Sequence, residues 1–109
     1  MIDYIDPIRV LLTIFEERYP EKQAQLDFVT GINKKEFLGD TCFGEDGKIY
    51  IQVCIEQTMP QLVDIVAHEL AHVAAGKTAG HGAKFQEVYN YLNTEFNKRM
   101  EVIGKKRSA

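Results

Sequence analysis

The chain has 109 residues, which suits one domain large enough to bury a core without disulfide help. Hydrophobic residues make up 45%, an ordinary share for a globular protein, and a formal net charge of −3 excludes binding to polyanions through overall charge. No apolar run approaches the ~20 residues of a membrane span.

Residues 1–6 show neither a basic region nor a long apolar run, so no signal peptide is expected. Cys42 and Cys54 are too few for a disulfide framework and lack a metal-type CxxC spacing. Without a secretory signal they are predicted to be two buried free thiols, and the protein to be cytoplasmic. Neither repeats nor a linker divide the sequence, so residues 1–109 are expected to form a single domain.

A helix is predicted over residues 7–19. Asp6 suits the N-cap and Pro7 the first helical position. Ile8, Leu11, Leu12, Phe15 and Tyr19 recur at helical spacing, and Pro20 stops the run. Residues 25–55 read as strands. Leu26 and Phe28 alternate with polar neighbours, residues 31–34 resemble a turn, and 36–43 form a weaker strand pattern. Asp46-Gly47 marks a hairpin turn. Residues 48–55 give the best strand, with Ile49, Ile51, Val53 and Ile55 on one face.

A second helix is predicted over 59–75. Thr58 and Gln61 can form a capping box, and Gly76 sits where a left-handed C-cap belongs. After a loop at 77–80, a last helix over 83–99 carries Phe85, Val88, Tyr89, Leu92 and Phe96 on one side. The order helix, strands, helix, helix is an α+β layout, with a sheet of about three mostly antiparallel strands. Lys98, Arg99, Lys105, Lys106 and Arg107 make the end basic, and residues 104–109 are expected to be a flexible tail.

The chemistry concentrates in the second helix. His68 and His72 stand four residues apart, so both imidazoles emerge on one face and can reach one metal ion. Glu69 lies about 100° round the helix, close enough to act on a water at the metal but poorly placed as a ligand. A catalytic zinc takes three protein ligands and keeps an open position. His81 is the natural third ligand, flanked by Gly80 and Gly82 in a chain that turns back after Gly76. Glu87 is the rival, and would make a two-His-one-Glu site. Asp64, one turn before His68, is a candidate to orient that ring, with a solvated carboxylate as the plainer reading. Tyr50, Tyr89, Tyr91, Asn90, Lys84 and Arg99 are conceivable oxyanion donors, each more ordinarily packing or surface. On this reading one Zn²⁺ polarises a carbonyl, and Glu69 takes the proton of the attacking water and passes it to the leaving amine.

The run Val66-Ala67-His68-Glu69-Leu70-Ala71-His72, followed by Gly80-His81-Gly82 and Phe85, resembles the SprT-like zinc metallopeptidases, relatives of the Spartan proteases. The similarity is specific over residues 60–96. It implies a zincin fold, zinc held by His68, His72 and His81, and a peptide substrate added along an edge strand, here expected at 48–55. It also implies that some relatives cleave proteins crosslinked to DNA. This chain departs from those relatives: C-terminal cysteine pairs for a zinc ribbon are missing, and only the basic tail remains for nucleic acid. The third histidine of metzincins is absent too, since Thr78 occupies its position. The leading expectation is a monomeric zinc endopeptidase. The alternatives are a zinc-binding protein without proteolytic role, a hydrolase of non-peptide amides, and a DNA-associated accessory protein.

Overall fold

The computed structural model describes residues 1–30 and 38–108. The elements are α1 (Pro7–Arg18), β1 (Gln25–Val29), β2 (Gly39–Phe43), β3 (Ile49–Cys54), α2 (Met59–Ala75) and α3 (Ala83–Ser108). The coarse α+β layout therefore matches the expectation. The turn expected at 31–34 and the start of the strand expected at 36–43 lie outside the described residues.

Helix starts follow their local signals. The Asp6 carboxylate accepts the Ile8 amide at 3.0 Å, with Pro7 in the first turn. At α2 the capping box is complete: the Gln61 amide donates to the Thr58 hydroxyl at 3.4 Å, and the Thr58 amide donates to the Gln61 side chain at 3.1 Å. α2 is apolar over most of its circumference, with Leu62, Val63, Val66, Ala67, Leu70, Ala71, Val73 and Ala74 buried. A helix so clothed must be covered on several sides. Accordingly α1 and α3 pack along it and the sheet lies across it through β2 and β3. Leu11 and Ile14 of α1, Ile51 and Val53 of β3, and Phe85, Val88 and Leu92 of α3 complete the core.

The sheet corrects two expectations. Its order is β1-β3-β2, with β1 parallel and β2 antiparallel to β3, so it is mixed rather than mostly antiparallel. The strand at 48–55, expected at the edge, is central. Ile51, Val53 and Cys54 have no solvent exposure, and a strand this apolar is best accommodated where both neighbours complete its hydrogen bonds. β1 and β2, with Asp27 and Asp40, take the edges. Ile55 lies past the strand end and is exposed rather than inward-facing.

Two further differences concern the cysteines and the C-terminus. Both thiols are free, but only Cys54 is buried. Cys42 is exposed, because on β2 it points away from α2, opposite Tyr50. The last helix runs on to Ser108, so the predicted flexible tail is helical up to that residue. Glu101 and Lys105 pair at 3.0 Å one turn apart, and Arg107 reaches Asp3 at 2.9 Å, while the basic last turn suits the negative end of the helix dipole. Arg99 joins the same helix to α1 through Glu17 at 2.7 Å. Among the described residues no helix is long and apolar enough to cross a membrane.

Candidate metal centre

His68 and His72 project from α2 with ring centroids 5.0 Å apart, as a four-residue helical spacing requires. The chain then leaves the helix at Gly76, whose amide still donates to the His72 carbonyl at 3.0 Å. Gly76 has φ 100° and ψ 163°. This is a glycine-only extended conformation, not the left-handed cap expected, and it sends the chain away from the helix axis. Gly80, at φ 56°, supplies the left-handed turn that brings the chain back. The result is that the His81 ring sits 4.8 Å from that of His72 and 5.2 Å from that of His68.

The three imidazoles offer nitrogen ligand atoms that all lie within 4.8 Å of one another, and the Nε2 atoms of His68 and His81 are 3.3 Å apart. A first-row divalent ion bound tetrahedrally by imidazole nitrogens separates its ligands by about 3.3–3.4 Å. The donor set thus fits one metal ion, and the His68–His81 pair already has that separation. Glu87 is not part of this cluster. Its carboxylate lies 3.9 Å from both Arg18 and Lys84 on the outer side of α3, so of the two rival third ligands it is His81 that converges.

Phe85 packs against all three rings, with centroids 4.8 Å from His68, 4.7 Å from His72 and 4.9 Å from His81. It is almost fully buried, and Tyr89 stacks on it one turn later. An apolar ring packed against three imidazoles limits their rotamers. Burial, reinforced by the neighbouring His68 and His81, holds the pKa of His72 below its ordinary value and so favours the neutral, metal-binding form.

Glu69 is the one charged residue of the described core, with 6% of its surface exposed. Burial raises its carboxyl above the ordinary 4.5. The Thr41 hydroxyl, donating to Oε1 at 2.7 Å, and the nearby His68 pull it back. Gly39, Thr41 and Phe43 of β2 face α2, so that β2, α2 and the 76–81 loop enclose a cleft of about 390 Å³ that contains the three histidines and Glu69. A larger groove of about 790 Å³ runs between α1 and β1, but its lining, which mixes Leu12, Phe15 and Leu26 with Arg9, Glu16 and Lys22, includes no histidine. Chemistry rather than size identifies the candidate site.

Asp64 has another partner than a histidine: the Tyr89 hydroxyl donates to it, which holds the Tyr89 pKa above its usual value. Tyr89 in turn rests its ring 6.0 Å from that of His68. Asp64 therefore steadies the aromatic packing behind the cluster. None of the six proposed oxyanion donors lines the cleft. Arg99 is engaged with Glu17 and Glu95, Lys84 lies by Glu87, and Tyr91 carries the Arg18 guanidinium 3.9 Å from its ring centroid. Sequence reasoning missed Gly39, Thr41 and Lys77, all of which line the cleft. The alternating exposure of β2 marks which of its residues face α2, but the sequence pattern there is too short to reveal it.

No family model, curated protein or solved structure matches this chain.

Proposed function

We propose that the chain is a zinc-dependent peptidase of SprT-like type that hydrolyses peptide bonds in protein or peptide substrates. The observation that carries this reading is the convergence of His68, His72 and His81 beside the buried carboxylate of Glu69, in a cleft open on one side. Three imidazole ligands would leave a position for substrate or water, whereas a purely structural zinc site is closed by a fourth protein ligand. When bound, Zn²⁺ supplies Lewis acidity toward water and the scissile carbonyl.

The remaining steps belong to the chain's own residues. His68, His72 and His81 hold the ion and are held in turn by Phe85. Glu69 accepts a proton from the attacking water and delivers it to the leaving amine. Its partly desolvated site, which raises the carboxyl pKa, suits a group that must both take and give a proton. β2 forms the edge of the sheet on the cleft side, so the substrate is expected to add as a strand along β2 rather than along the central β3. The resemblance to SprT-like peptidases over residues 60–96 supports the same assignment of ligands and base.

The test is metal-dependent cleavage of fluorescein-labelled casein by the purified chain. A zinc chelator should abolish cleavage and added Zn²⁺ should restore it. Glu69→Gln should keep its zinc and lose about 10²–10⁴-fold in activity. A zinc-loaded wild type without cleavage, or a Gln variant as active as wild type, would contradict the proposal.

A further inference from the structure

We infer that Thr41, from the edge strand β2, is the positioning residue for the Glu69 carboxylate. The inference rests on the peptidase reading for its consequence and on geometry for its content.

Thr41 has one hydroxyl proton and two acceptors within reach, Glu69 Oε1 at 2.7 Å and the Glu69 backbone carbonyl at 3.3 Å. The shorter contact, to an ionisable oxygen, is the stronger. Two residues earlier on the same strand face, Gly39 passes so close to α2 that a Cβ there would lie 2.6 Å from Ile65 Cγ2 and 3.3 Å from Glu69 Oε2. Only a residue without a side chain lets the strand approach to this distance. The approach at Gly39 places the hydroxyl of Thr41 over Glu69. Oε1 is thereby held by Thr41 while Oε2 lies beside the Gly39 backbone.

The chemical consequence follows from the softness of a glutamate's last torsion. Rotation about χ3 has broad, two-fold preferences, so an unheld carboxylate presents either oxygen in many orientations. A donor on Oε1 selects one orientation and leaves Oε2 to exchange the proton with water and leaving group. Proton transfer depends steeply on such alignment. Thr41 touches neither metal nor substrate in this scheme. It acts through Glu69.

A contact that merely clips β2 to α2 makes different predictions. Wild type, Thr41→Ser and Thr41→Val are compared as full-length chains, each loaded to one zinc and checked by mass spectrometry. Valine keeps the branched shape that a strand favours, so the variant should fold. With fluorescein-labelled casein, Thr41→Val should lower kcat about 10–100-fold with KM within about twofold, and Thr41→Ser should stay within about threefold of wild type. A Val variant with wild-type kcat, or a Ser variant as impaired as Val, overturns the inference. A second arm needs no proteolysis: a double-mutant cycle of Thr41→Val and Glu69→Met on the denaturant midpoint of the metal-free chain. The double variant should be more stable than the sum of the two single shifts predicts, and strictly additive shifts overturn the contact. Non-additive shifts in a chain whose zinc-loaded wild type leaves casein intact support the contact and overturn the peptidase reading alone.

Discussion

The two sides of the cleft are built on opposite principles. α2 supplies His68, Glu69 and His72 from consecutive turns of one helix, anchored by nine buried residues and capped at its start. β2 supplies no metal ligand. It is a five-residue edge strand with no fully buried residue, and it lines the cleft with Asp40, Phe43, the Thr41 hydroxyl and the bare backbone of Gly39. On the proposed reading, α2 with the loop that carries His81 sets which atoms can bind a metal, and the strand sets how the Glu69 carboxylate is presented. A site divided in this way separates metal affinity from catalytic alignment, and the two can be perturbed independently.

The largest effect is expected on the helical side. Phe85→Ala removes a nearly buried ring from behind all three imidazoles and should cost about 3–5 kcal/mol in denaturant unfolding. Metal affinity should fall with it, because the rings lose the surface that aligns them. Unchanged affinity in a folded Phe85→Ala chain would show that the imidazoles align without that support. On the strand side, Gly39→Ala forces a methyl against Ile65 and should cost about 1–3 kcal/mol. There the sharper expectation is retained zinc with reduced turnover. Loss of zinc instead would show that β2 supports the ligands as well as the base.

The smallest effect is a pH dependence of the metal-free chain. Burial raises the pKa of Glu69, so its charge opposes folding at neutral pH, and that cost disappears as pH falls through the raised value toward the ordinary 4.5. Burial lowers the pKa of His72, so the stability held by its neutral form is lost as pH falls below the ordinary 6.5. The two act in opposite directions on acidification. Glu69→Gln removes the first and keeps the second. Its thermal midpoint should equal or exceed that of wild type at pH 7, and the advantage should shrink toward pH 4.5. A Gln variant less stable than wild type at pH 7 would mean that the charged carboxylate is a net stabiliser.

The same division explains what could be read from the sequence. His68 and His72 are legible because a helix converts a spacing of four into one face, and α2 announces its ends through Thr58, Gln61 and Gly76. His81 is legible through its flanking glycines, although the conformation of Gly76 is not the one expected. Properties that depend on distant partners were not legible. The edge position expected for 48–55 follows from the resemblance, whereas the pairing of β3 with both β1 and β2 rests on contacts that no local pattern encodes. Thr41 meets Glu69 across 28 residues, and the last turns of α3 are held by an ion pair to Asp3 that spans 104. No local periodicity carries such contacts.

The most direct test is the metal content of the purified chain, measured by mass spectrometry for wild type, His81→Ala and Glu87→Ala after equilibration with excess Zn²⁺ and desalting. Three converging imidazoles predict one zinc per chain in wild type and Glu87→Ala, and a near-complete loss in His81→Ala. A His81→Ala chain that keeps its full zinc, or a wild type that retains none, would contradict the account at its centre.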